Sequence, residues 1–211
     1  MDLNITPTEK RLIITVFFCM SFTIANLITV KIIDLHILGL VVPAGVLIYP
    51  LVYVLTNVIT EAYGEDAAQR TLVLGILADV LFVCMTSLLL ILPSPANYTG
   101  DSALAFVFMK TPRILVASYI SYLIGNIVNA HLTVKLKNGC SNATLRNMLA
   151  IAIGELLDNI MFITLAFIFE VSFSEIIVMI FTHWILTLIW IVIAQPFIPR
   201  LLNWVSSDKV E

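Results

Sequence analysis

Charged residues are scarce in this sequence: Asp, Glu, Lys and Arg make up only 12% of its 211 residues. Soluble domains carry about 25% charged residues, which cover the surface that faces water. Hydrophobic residues make up 60% of the chain. These proportions exclude an ordinary water-soluble domain and indicate a protein whose surface faces lipid.

Paired cysteines, basic runs and catalytic motifs are also missing. Cys19, Cys84 and Cys140 are scattered without a CxxC pair, so neither a disulfide framework nor a metal site is predicted. The net charge of −3, without a basic run, argues against nucleic acid as a partner. No H-E-x-x-H, G-x-S-x-G or glycine-rich phosphate loop is present. We therefore predict no catalytic residues, no metal, no cofactor and no enzymatic activity.

Apolar segments that could cross a bilayer, which requires about 20 residues each, occur six times. We predict membrane spans at 11–33, 40–60, 69–92, 113–135, 147–170 and 176–199. The longest connection, 94–112, contains apolar residues that predict a short interfacial helix. The whole chain, 1–211, is thus expected to form a single all-α integral membrane domain of six transmembrane helices.

Lysine and arginine residues predict the orientation, because they collect on the cytoplasmic side of a membrane. With the amino terminus inside, the inner side holds eight of these bases and the outer side three, namely Lys31, Lys110 and Arg113. We therefore predict that both termini lie in the cytoplasm of a multi-pass cell-membrane protein.

Polar side chains inside the predicted spans are the main functional signal, because such groups are costly in lipid and usually mark a site. Glu155, Asp158 and Asn159 in "GELLDNIMF" share one face of the fifth span. Asn126 and Asn129 share a face of the fourth.

The second span carries a third polar pair, Asn57 and Glu61 in "LTNVITEAYG", four residues apart on one face. Three helices that each present a polar group to the interior predict a site for a ligand or an ion. The alternative is that these groups only hold the helices together by hydrogen bonds.

Three further ionisable residues each allow two interpretations. Asp79 is either a structural carboxylate or part of a proton relay, and His183 is either a packing residue or a site residue. Lys31 either contributes to the site or extends to the membrane interface.

In four segments, taken in order through residues 25–167, the chain resembles the putative vitamin uptake transporter family, whose bacterial members are queuosine precursor transporters. The segments are "ANLITVKI", "VPAGVLIYPLVYVLTNVITEAYGEDAAQR", "PRILVASYISYLIGNIVN" and "LRNMLAIAIGELLDNIMFITLAF". The "ITEAYG" block and the "RILVAS" start of the fourth span are the most specific elements. Positions that match the family pattern are Asn26, Lys31, Glu61, Tyr63, Gly64, Arg113 and Asp158. The chain departs from the pattern at Asn57, Asn129, Glu155 and Thr187.

The resemblance implies a six-helix importer of queuosine precursors for salvage into tRNA modification. The expected substrates are 7-cyano-7-deazaguanine, 7-aminomethyl-7-deazaguanine or queuine. One carboxylate can accept both adjacent donors of a deazaguanine, the ring N–H and the exocyclic amine. Asparagine amides can satisfy its carbonyl, and Trp184 or Tyr122 could stack on the ring. The expected substrate-binding residues are Asp158, Glu61, Asn57, Glu155, Asn126, Asn129, Asn159, Lys31 and Trp184.

The expected partners are this small heterocycle and the lipid bilayer, with a homodimer as the expected oligomer. Other functions remain open at this point. The chain could transport another vitamin-like heterocycle, or it could be a non-transporting membrane scaffold or an ion channel. A membrane-embedded enzyme with Glu155 and Asp158 as an acid/base pair is a further alternative.

Overall fold

A computed structural model describes residues 5–36, 39–135 and 143–206. The helices are α1 (Pro7–Ile28), α2 (Tyr49–Tyr63), α3 (Glu65–Ile91), α4 (Asp101–Phe108), α5 (Thr111–Lys135), α6 (Ala143–Phe167), α7 (Phe173–Ala194) and α8 (Phe197–Ser206). Two short strands, β1 (Ile32–Asp34) and β2 (Val41–Pro43), pair antiparallel after α1. The helices confirm the predicted class, an all-α membrane protein. The hairpin is the one part of the described structure that is not helix or loop.

Four stretches of the described chain are long and apolar enough to cross a membrane: Pro7–Ile28, Glu65–Ile91, Asp101–Gly125 and Phe173–Ala194. The chain is therefore a multi-pass membrane protein, while six spans and the orientation of the termini stay predictions. A short helix is present where the longest connection predicts one, as α4 (Asp101–Phe108).

The helix predicted over residues 40–60 is wrong in its first half. Residues 41–43 form β2, and a short 3-10 helix (Ala44–Leu47) follows before α2 begins at Tyr49. Proline explains the break, because Pro50 has no backbone N–H and is accommodated in the first turn of a helix. Val41 and Val42 are β-branched, which favours the strand before it.

The result is a half helix that begins inside the bundle. Residues 42–46 are buried, and β2 packs against α7. Irregular backbone is tolerated at membrane depth only where protein covers it. Gly45 allows the close approach, since a Cβ there would lie 2.1 Å from Thr29 Oγ1 of the turn that ends α1. With 15 residues, α2 extends roughly 22 Å, less than the thickness of a bilayer core.

Capping boxes set the starts of α1 and α7 a few residues before the predicted ones. The Thr6 hydroxyl accepts the backbone N–H of Glu9 at 3.3 Å, and the Glu9 carboxylate accepts the Thr6 N–H at 2.7 Å. Ser172 and Glu175 repeat this arrangement at α7. Because a capping box satisfies exposed N–H groups at a helix start, the two helices begin at residues 7 and 173.

Two separate apolar cores hold the bundle together. The first core joins α1, α2, α3, α7 and α8, and the second core joins α5, α6 and the start of α7. The first core consists of Ile14, Phe18, Val54, Leu55, Val58, Ile59, Ala67, Ala194, Ile198 and Val205. The second core consists of Ile114, Ala117, Ile163, Ala166, Phe167, Ile176, Met179 and Ile180.

Polar residues lie near the middle of three long helices. Glu155 is at the midpoint of the 25-residue helix α6, and Asp79 is close to the midpoint of the 27-residue helix α3. His183 is at the middle of the 22-residue helix α7. Each of these three helices therefore carries an ionisable side chain at about half its length.

Asp79 is fully buried and joins three helices. Its carboxylate accepts hydrogen bonds from Thr23 Oγ1, from Asn26 Nδ2 at 2.9 Å and from the Tyr119 hydroxyl at 3.0 Å. These donors come from α1 and α5, so the bonds connect both helices to α3. Three protein donors around one buried carboxylate favour the structural interpretation of Asp79.

Replacing Asp79 with alanine should destabilise the bundle, because it leaves the donors of Thr23, Asn26 and Tyr119 without their acceptor. An unpaired buried polar group costs about 1–3 kcal/mol, so the melting temperature in detergent should fall by several degrees. Asp66→Ala is the matched control, since Asp66 is exposed in the first turn of the same helix. Equal melting temperatures for the two variants would contradict the structural role.

Candidate functional site

Glu155, Asp158 and Asn159 share one face of α6, as predicted, and we call them the α6 polar group. The Tyr49 hydroxyl donates to both carboxylate oxygens of Glu155, at 3.0 and 3.1 Å. Tyr49 is the first residue of α2, so the half helix begins against the middle of α6. Sequence reasoning missed Tyr49, whose only signal was its position beside Pro50.

Asp158 lies where α5 and α6 cross closely. A Cβ added to Gly125 of α5 would be 3.0 Å from the Asp158 Cβ and 3.3 Å from the carbonyl oxygen of Gly154. Glycine at 125 and 154 lets the two backbones approach, as small residues do in membranes. The buried Ser121 hydroxyl lies between the Ser118 carbonyl oxygen, at 3.1 Å, and the Asp158 carboxylate.

Asn159 is almost completely buried, with 1% of its surface exposed. Its amide nitrogen donates to the backbone oxygen of Glu155 at 2.7 Å. The side-chain oxygen is buried and accepts no hydrogen bond from the residues that the structure describes. Since an unpaired buried acceptor costs about 1–3 kcal/mol, this oxygen is suited to a donor from a bound molecule.

Helix α7 places an aromatic ring next to this group. The indole N–H of Trp184 donates to the backbone oxygen of Ala152 at 2.9 Å, one turn before Glu155. The ring is partly exposed and held against α6. His183 is buried, with its Nδ1 3.4 Å from the Thr187 hydroxyl and its ring beside that of Phe162. These contacts favour the packing interpretation of His183.

The polar pair of α2 lies further along that helix than Tyr49, the residue that contacts Glu155. The Asn57 amide donates to the Tyr53 carbonyl of its own helix at 2.8 Å. Glu61 is exposed, and it lies twelve residues after Tyr49, roughly 18 Å along the axis. Asn126 and Asn129 belong to α5, but their side chains lie outside the described residues.

Lys31 is far from the α6 polar group and lines a cavity of about 970 Å³ at the end of the bundle where α1 and α6 end and α5 begins. Lys110, Arg113 and Glu170 line the same cavity, which we call the basic pocket. Most of its other walls are apolar. The structure thus has two polar centres, one at mid-height and one at an end.

A multi-pass helix bundle with a broken helix and a polar centre at mid-height has the features of a membrane transporter. The family described as "putative vitamin uptake transporter" matches residues 43–201, and the chain belongs to this family. Its membership confirms the resemblance found in the sequence and the placement in the cell membrane. Because this is a family of transporters, it also confirms that the chain is not an enzyme.

A curated relative from Bacillus subtilis (strain 168), named "Probable queuosine precursor transporter", is 27% identical over 149 residues. The alignment covers 68% of this chain and 63% of the relative, so the chain spans less than two thirds of that protein. No solved structure matches the chain significantly.

Replacing Tyr49 with phenylalanine should weaken the contact between α2 and α6, because it removes the hydrogen bonds to Glu155. A hydrogen bond contributes about 0.5–1.5 kcal/mol, so the variant should unfold at a lower temperature in detergent. Tyr98→Phe removes a hydroxyl from an exposed connection and serves as the control. If Tyr49→Phe melts no earlier than Tyr98→Phe, the bond to Glu155 does not hold the half helix.

Proposed function

We propose that this protein imports queuosine precursors, which the cell then uses to modify tRNA. The proposed substrates are 7-cyano-7-deazaguanine, 7-aminomethyl-7-deazaguanine or queuine. The observation that carries the proposal is the α6 polar group at mid-height, facing the start of the half helix α2. Transporters often bind substrates near the bilayer midplane, where discontinuous helices supply helix ends. The name of the Bacillus subtilis relative supports the same class of substrate.

The chemistry of the α6 polar group suits the donor-rich edge of a deazaguanine. The carboxylate of Asp158 can accept the ring N–H and the exocyclic amine together. The buried oxygen of Asn159 offers a further acceptor, since no described residue donates to it. Trp184 supplies an aromatic surface for stacking.

We assign Asp158, Glu155, Asn159 and Trp184 to substrate binding, and Tyr49 to the positioning of Glu155. Asn126 and Asn129, on α5, remain proposed members of the site. The other three predicted residues fall elsewhere in the fold. Asn57 and Glu61 lie further along α2 and would contact the substrate on its path through the bundle, and Lys31 belongs to the basic pocket.

We further propose six spans, with α2 as the short one, and both termini in the cytoplasm. The prediction is tested in a variant in which Cys19, Cys84 and Cys140 are changed to alanine. In intact cells, an impermeant thiol reagent should label Asn97→Cys, which lies before α4. It should label Asn203→Cys, which lies in α8, only after the cells are permeabilised. Both positions are exposed. The reverse labelling pattern would show that the orientation is inverted.

Purified protein should bind 7-deazaguanines more tightly than guanine, and without ATP. We expect 7-cyano-7-deazaguanine or 7-aminomethyl-7-deazaguanine to raise its melting temperature in detergent, because a ligand stabilises the state it binds. Guanine, thiamin and biotin are the comparison ligands. Stabilisation by thiamin or biotin, and by no deazapurine, would favour a transporter of another vitamin-like heterocycle.

In the same assay, Asp158→Asn should weaken deazaguanine binding by at least about tenfold, or about 1.4 kcal/mol. Asparagine offers one acceptor fewer and adds a competing donor, yet it is nearly isosteric, so folding should be retained. Asp66→Asn, at an exposed position, should bind as the unchanged protein does. Normal binding by well-folded Asp158→Asn would exclude this carboxylate from the site.

A further inference from the structure

The basic pocket has an excess of positive charge that the described residues do not neutralise. Three bases, Lys31, Lys110 and Arg113, and one carboxylate, Glu170, line it, so two positive charges remain. Lys110 is paired with Glu170 and lies over the Phe106 ring, 4.4 Å from its centroid. The excess therefore belongs to Arg113 and Lys31.

Arg113 is held in place by part of its guanidinium while another part remains unpaired. Its Nε donates to the backbone oxygen of Leu165 at 2.9 Å, and its guanidinium carbon lies 5.1 Å from the centroid of the Phe169 ring. Its Nη2 is buried and donates to no described residue. Because a planar guanidinium fixed on one edge presents its remaining donors in a set geometry, Arg113 is preorganised for an oxygen acceptor.

Lys31 supplies the second charge without competing contacts. Its side chain is exposed at the turn after α1, and it forms no ion pair with any residue that the structure describes. Its backbone is fixed, since its carbonyl oxygen accepts the Ala44 N–H at 2.8 Å. A flexible ammonium and a fixed guanidinium that line the same cavity can both bind one phosphate.

We propose that the basic pocket binds a phosphate group, held by the guanidinium of Arg113 and by the ammonium of Lys31, both of which line it. The cavity of about 970 Å³ is large enough for a phosphate and part of the molecule that carries it. Its apolar walls suit a phospholipid whose headgroup reaches the pocket, and its charge equally suits a small soluble phosphate. Both sources share the same recognition chemistry.

This site is separate from the α6 polar group and does not depend on the proposed transport substrate. Leu165, whose carbonyl anchors Arg113, lies ten residues after Glu155 on α6, roughly 15 Å along the helix. A deazaguanine carries no phosphate, so binding at the basic pocket is measured with different ligands. Failure of one proposal therefore leaves the other standing.

The test is the melting temperature of the full chain in a neutral detergent, titrated with four ligands. These are phosphatidylglycerol, phosphatidylcholine as a lipid without net charge, glycerol 3-phosphate and inorganic phosphate. Stabilisation by phosphatidylglycerol alone identifies a lipid headgroup, and stabilisation by glycerol 3-phosphate or inorganic phosphate identifies a soluble source. Either result supports the proposal, and no stabilisation by any of them overturns it.

Variants of the two bases show whether binding occurs in this pocket. Arg113→Gln should weaken binding by at least about tenfold, because it removes a buried charge-assisted donor. Arg113→Lys should restore part of the loss, because it keeps the charge but not the planar fork. Arg70→Gln, an exposed base at the opposite end of the bundle, should have no effect.

If Arg113→Gln does not fold, Lys31→Gln still tests the proposal. The Lys31 side chain forms no hydrogen bond or ion pair with a described residue, so its replacement should not affect folding. It should weaken binding roughly two- to fivefold, as expected for a partly solvated ion pair. Wild-type affinity in folded Lys31→Gln together with folded Arg113→Lys would show that the phosphate binds elsewhere.

Discussion

The bilayer provides no hydrogen bonds, so every polar group inside this bundle must find its partner within the protein or in a bound molecule. Asp79 meets this requirement fully, because α1 and α5 supply three donors to its carboxylate. Asn159 and Arg113 meet it only in part, since each retains a buried polar atom without a partner among the described residues. This difference separates a carboxylate whose partners all lie within the protein from side chains that keep one polar atom unpaired among the described residues.

The break before α2 brings Tyr49 against the α6 polar group. Pro43 and Pro50 flank a 3-10 turn, so the chain enters the bundle as irregular backbone and turns into a helix only at Tyr49. A continuous helix would have crossed the membrane without presenting its first residue to the middle of α6. The break places the first residue of α2, Tyr49, beside the carboxylate of Glu155.

Much of the fold could be predicted from the sequence, because lipid exposure leaves a strong compositional signal. The shared face of Glu155, Asp158 and Asn159 was also predictable, since helical spacing alone determines it. The hairpin before α2 could not be predicted, because a short apolar run of β-branched residues is equally typical of a strand and of part of a membrane span. The same break also decides the height of Asn57 and Glu61 in the bundle, because that height depends on where α2 begins.

The basic pocket shows a different limit of sequence reasoning. Lys31, Lys110 and Glu170 are far apart in the chain, and only the packing of α1 and α6 around the start of α5 brings them to one cavity. The contact between Tyr49 and Glu155 is similarly a product of tertiary structure. Spacing within a helix predicts which residues share a face, but not which face of another helix they meet.

We propose that the α6 polar group binds a queuosine precursor as it crosses the membrane. The most direct measurement is the queuosine content of tRNA in a host that cannot synthesise the precursors, grown with a low concentration of 7-cyano-7-deazaguanine. We expect that the unchanged gene restores queuosine and that Asp158→Asn, expressed at the same level, does not. No restoration by the unchanged gene with any precursor, or full restoration by Asp158→Asn, would contradict it.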